Sequence, residues 1–179
     1  MRLQLREFPN GVEVARGNVV VYDVAADTAS FCGGAADGHS LVWTLAEEED
    51  RNAVLDAPVD LDPALDWMIR CDRVDFPPGG VAYRHTHPGP GIRCLLKGEI
   101  RIESRGETET YGLFDAWFES GPEPVYASAS ESEETGFVRV MLLPAEYAGQ
   151  RTIRYVDPAD AEKPKTQRVK ILLEEPLNL

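Results

Sequence analysis

From Trp67 onward the chain alternates apolar and polar positions in short runs, each closed by a turn signal. "WMIRCDRVDF" stops at "PPGG", "VAYRHTH" stops at "PGPG", and "IRCLLKG" and "EIRIES" flank a tight turn at Lys97-Gly98. "ETETY" ends at Gly112, "DAWFE" ends at "SGPEP", "VYASAS" follows, and the continuous apolar run "GFVRVMLLP" closes the series. Period-two runs with Gly/Pro punctuation predict strands, and many of them at close spacing predict an antiparallel sandwich or barrel.

The flanks are less regular. "NVVVYDV" and "HSLVWTL" predict two further strands that extend or cover the sheets of the main barrel, and "AEEEDRNAVLDAPVDLDPALD" reads as an acidic surface connection. The expected organisation is one structural domain: an N-terminal extension (1–65) adding strands, a barrel (66–144), and a C-terminal tail (145–179) ending in the edge strand "VKILL". That last run either packs on its own subunit or adds to a partner's sheet edge.

Among 179 residues, 31 acidic side chains face 18 basic ones, for a net charge of −13. Such a surface repels a phosphate backbone or an anionic membrane, so neither nucleic acid nor membrane is an expected partner. No apolar signal core or membrane span is legible, and Cys32, Cys71 and Cys94 are odd in number and widely spaced. Reduced thiols in a cytoplasmic protein, packed as small hydrophobes, are the expectation.

His85 and His87 carry the candidate chemistry. Positions two apart on a strand share a face, so the two imidazoles are expected to project together, with Tyr83 and Val81 on the same side. Paired neutral imidazoles begin a metal site for iron, zinc, nickel or copper; equally, they serve as hydrogen-bonding groups in a polar pocket.

The spacing Gly79, five residues, His85-x-His87, then Gly98 resembles the first motif of the cupins, and "DAWFESGPEPVYASAS" resembles the second. The resemblance covers Asp66 to Pro144. It implies an all-β fold, the double-stranded β-helix or jelly-roll barrel, with the site inside and the N-terminal strands as an extension. It also implies a divalent metal on His85 and His87, with iron leading and manganese, nickel or zinc as alternatives. The motif glutamate falls on Gly91, and the second-motif histidine falls on Pro124 or Val125. Tyr126 and His39 are therefore the candidates for a third ligand.

In the family register Gly91, Arg93 and Leu95 face inward. An inward arginine needs an anion, either a substrate carboxylate or a protein acid such as Glu119 or Asp72. One of Trp117 and Phe118 faces the pocket, which makes Arg93, Tyr83 and Trp117 the candidate substrate-binding residues. Glu99, Glu103, Asp115 and Glu119 are read mainly as solvated, with Asp115 structural in its turn.

The leading expectation is a metal-assisted enzyme, dioxygenase-like, acting on a small carboxylate-bearing molecule. The alternatives are a non-catalytic small-molecule-binding or sensing barrel, and a metal-free isomerase or epimerase using histidine and tyrosine. Pairing through sheet edges makes a homodimer the expected assembly.

Overall fold

A computed structural model describes residues 1–178. The first part of the chain forms β1 (Arg2–Phe8), β2 (Val12–Val14), β3 (Val19–Asp23), β4 (Thr28–Phe31), β5 (Gly34–Ala36), β6 (Ser40–Ala46) and β7 (Leu55–Pro58). The barrel strands are β8 (Trp67–Phe76), β9 (Val81–Thr86), β10 (Gly91–Lys97), β11 (Ile100–Ser104), β12 (Glu107–Tyr111), β13 (Ala116–Glu119), β14 (Val125–Ala129) and β15 (Thr135–Pro144). Beyond them come β16 (Arg154–Tyr155) and β17 (Arg168–Pro176), with short 3₁₀ turns at Ala145–Tyr147 and Pro158–Glu162. No helix among the described residues is long and apolar enough to cross a membrane.

Three five-stranded antiparallel sheets carry the architecture. Two of them, β13-β10-β15-β8-β17 and β12-β11-β14-β9-β16, face each other as the halves of the barrel. The third, β4-β3-β6-β1-β7, is made wholly of N-terminal strands. The N-terminal segment therefore covers the barrel with a sheet of its own and extends neither barrel sheet. β7 lies within the stretch read from sequence as a connection; its few apolar positions dock on the edge of β1, with Leu3 opposite Ala57.

The sheet containing β8, β10 and β15 is covered on both faces, which explains its composition. On its outer face Ile69, Cys71, Ile92, Cys94, Val138, Val140 and Leu142 pack with Leu3, Leu5, Val20, Tyr22 and Trp43 of the N-terminal sheet. On its inner face Val74, Phe76, Leu95 and Phe137 meet Ala82, Ile100, Ile102, Val125 and Ala127 across the barrel. A strand buried on both sides loses the reason to alternate, hence the apolar run in β15, interrupted only by Arg139. Cys71 and Cys94 are buried in this way, whereas Cys32 is exposed rather than packed as expected.

The tail resolves onto its own chain: β17 pairs antiparallel with β8, from Arg168 opposite Asp75 to Pro176 opposite Met68. The turn between β10 and β11 depends on Gly98, whose φ is +73° and whose absent Cβ would lie 2.5 Å from the Glu134 carbonyl oxygen.

Candidate functional site

A cavity of about 360 Å³ opens inside the barrel. Its floor is apolar, from Val74, Phe76, Ala82, Ile102, Trp117, Ala127 and Phe137; its polar band comprises His85, His87, Arg93, Glu119 and Arg139. The segment Gly149–Ile153, with Tyr155, Lys165 and Gln167, walls the remaining side.

A bulge in β9 aims the histidines. Val125 of β14 lies opposite His85 but Ala127 lies opposite Ala82, so three steps on β9 match two on its partner. The extra residue shifts the alternation. Ala82 and His85 both line the cavity, and Tyr83 leaves it, to lie under the Lys163 ammonium instead. The expected sharing of one face by Tyr83 and His85 therefore does not occur, and Tyr83 is not a pocket residue.

Both rings are held by backbone carbonyls. His85 Nδ1 is 2.7 Å from the Tyr83 oxygen and His87 Nδ1 is 3.2 Å from the Thr152 oxygen. A carbonyl only accepts, so Nδ1 carries the proton in each ring and Nε2 is a bare acceptor. The rings lie edge to face with centroids 4.9 Å apart. Burial lowers the pKa of His85; that of His87 falls well below the usual range, first through burial and then through the charges of Arg139 and Arg93. Both imidazoles are accordingly neutral at neutral pH.

The remaining polar groups form charge pairs between neighbouring strands. Arg139 of β15 donates Nε and Nη2 to the two Asp72 carboxylate oxygens of β8 at 2.6 and 3.2 Å. Arg93 donates Nη1 to the Gly91 carbonyl at 2.6 Å, and its Nη2 lies 2.7 Å from Glu119 Oε2. That last contact is a charge contact without hydrogen-bond alignment, since neither atom has a hydrogen-bond partner. Burial brings Arg93 down to about 10, which leaves it charged. Trp117 Nε1 donates to Glu119 Oε1 at 2.9 Å, and Glu119 Oε2 lies 3.6 Å from His87 Nε2. With His87 neutral, that last pair is two acceptors face to face rather than a salt bridge.

The other residues singled out in the sequence divide cleanly. Trp117 faces the cavity and Phe118 packs outward against the N-terminal core, as alternation requires. Arg93 is inside and meets the protein acid Glu119. Tyr126 alternates with the inward Val125 and Ala127, so it points away from the cavity. His39 lies beyond the barrel wall, 2.8 Å from Glu7 and edge-on to Phe114. Neither joins the histidine pair. Sequence reasoning missed Arg139, a lone charge within an apolar run; of the two readings it held for Glu119, solvated carboxylate and partner of Arg93, the structure shows the second.

The metal expected at the pair was tested against this donor set. In its favour are two neutral rings with bare Nε2 atoms, each steadied by a carbonyl. Against it, no three His, Cys, Asp or Glu side chains among the described residues are grouped to hold an ion. At Gly91, a Cβ would lie 2.6 Å from the Val140 oxygen and 3.1 Å from Arg93 Nη1. A guanidinium thus fills the place of the motif carboxylate and takes up the one carboxylate nearby. Two imidazoles beside two guanidinium groups do not fit a tightly held divalent ion, whose sites supply three or more protein ligands.

No family profile and no curated protein matches the chain. Among solved structures, it is similar to a cupin-like protein of Thermotoga maritima at 18% identity, covering 49% of this chain and 64% of that one, with a TM-score of 0.43. A DMSP lyase of Ruegeria pomeroyi aligns at 20% identity over 50% of this chain and 44% of that one, with a TM-score of 0.44. A polyketide cyclase of Streptomyces resistomycificus aligns at 22% identity over 55% and 67%, with a TM-score of 0.41. The chain thus spans less than two thirds of the first two. Two facing antiparallel sheets around a cavity, with the histidine pair on an inner strand, lead to one conclusion: the chain folds as a jelly-roll barrel, the double-stranded β-helix.

Proposed function

We propose that the barrel is a metal-independent binding site for a small organic acid. One observation carries the reading: the cavity is lined by five cationic side chains, Arg70, Arg93, Arg139, Arg151 and Lys165, and one carboxylate, Glu119, in a chain of net charge −13. Arg70, Arg93 and Arg139 are backed by Glu174, Glu119 and Asp72; Arg151 and Lys165 add two charges that these pairs do not offset. Burial first, and then the charges of Arg139 and Arg93, keep the His87 pKa well below its usual range, so the imidazole adds no competing positive charge at the polar band. An acid headgroup at that band would leave its hydrocarbon part on the floor of Val74, Trp117 and Phe137. The volume suits a small metabolite.

The test is calorimetric titration of chelator-treated protein with small organic acids and the neutral amides of the same skeletons. Acids should bind about tenfold or more tightly than their amides, because a buried charged pair is stronger than a neutral hydrogen bond. Arg139→Gln combined with Asp72→Asn, which strands neither partner, should weaken that preference, and adding Arg151→Gln and Lys165→Gln should remove it. Equal binding of acids and amides, or no binding of either, would overturn the reading. So would near-stoichiometric metal in protein purified without chelators that disappears from the His85→Ala/His87→Ala variant.

A further inference from the structure

The polar band is uneven in donors and acceptors. His85 and His87 each spend their one ring N–H on a backbone carbonyl, which leaves two Nε2 acceptors on the cavity side. Glu119 Oε2 adds a third, 3.6 Å from His87 Nε2, with Arg93 Nη2 beside it at 2.7 Å but off the hydrogen-bond line. Arg93 offsets the charge of Glu119, but no protein donor serves either imidazole Nε2, so a ligand that donates there fits better than one that only accepts. A carboxylate alone, an ether or a carbonyl cannot supply that donor. An ammonium group could, but the guanidinium groups of Arg93 and Arg139 that disfavour protonation of His87 would repel it too. What remains is a neutral donor, and a hydroxyl is the smallest one an organic acid carries.

Resting on the organic-acid reading above, we infer that the ligand is a hydroxy acid, its carboxylate toward Arg139 and its hydroxyl donating to a bare Nε2 of the His85–His87 pair. The hydrocarbon part lies against Trp117 and Phe137. The two histidines are then specificity-determining residues that distinguish a hydroxylated acid from its deoxy counterpart, and no proton transfer is required of them.

Matched probes test this. Mandelate, phenylacetate and O-methylmandelate share a phenyl skeleton and a carboxylate; only mandelate has a hydroxyl that donates. A second set on a branched-alkyl skeleton removes dependence on the ring, and phenylglycine replaces the hydroxyl by an ammonium group. The hydroxy acid should bind about tenfold or more tightly than both the deoxy and the methoxy acid, because a site built for a donor penalises its absence. In His85→Leu/His87→Leu that advantage should vanish while the affinity of the deoxy acid holds. If this variant does not fold, the comparison of probes on the wild-type protein decides. Deoxy or methoxy acids binding as well as hydroxy acids, or phenylglycine binding best, would overturn the inference while leaving the acid reading intact. Failure of every acid to bind better than its amide would overturn both.

Discussion

His87 is neutral because burial and two nearby guanidinium groups oppose its proton, and this makes stability depend on pH. Its pKa in the folded chain lies well below the ordinary 6.5 that it regains on unfolding. As pH falls past about 6.5 the unfolded chain takes up the proton first, so the contribution of the neutral ring is complete above that value and is lost below it. Each such group steepens the loss by up to about 1.4 kcal/mol per pH unit. Denaturant titrations from pH 8 to pH 5 should show a shallower decline for His87→Gln than for the wild type; parallel curves would count against the assignment. The pairing of the two rings on one face was legible from their spacing. The partners that set their charge were not, since Arg139 lies 52 positions beyond His87 and meets it only through the fold.

Single residues also govern whole strands. Gly98 closes the β10–β11 hairpin in a left-handed conformation with no room for a Cβ, so Gly98→Ala should destabilise the protein by about 1–3 kcal/mol. An unchanged denaturation midpoint would show that the turn adjusts freely. At this scale the sequence was most informative: Gly/Pro punctuation marked nearly every barrel strand, because turns need particular backbone angles that few residues supply. The β9 bulge escaped notice since an extra residue leaves no mark on composition, and it alone displaced Tyr83 from the pocket. β7 escaped because an edge strand pairs on one side only and needs little apolar content. The self-pairing of "VKILL" with β8 could not be told from pairing with another chain, the hydrogen-bonding requirement being the same.

For the molecule as a whole, the sheet containing β8, β10 and β15 is the shared structural element. Its outer side chains form the core with the N-terminal sheet and its inner ones line the barrel, so neither part has a complete core without it. Scanning calorimetry should therefore record one transition with equal calorimetric and van't Hoff enthalpies; two resolved transitions would show that the layers unfold separately. The alternation of apolar positions foretold both layers, but which sheet the N-terminal strands would cover depended on shape complementarity that no local pattern encodes. The shared sheet also links places that never touch. A ligand seated in the cavity favours the folded chain throughout, so the amides of Leu3 and Leu5, on the far side of the barrel wall, would exchange with solvent deuterium more slowly when the barrel is filled.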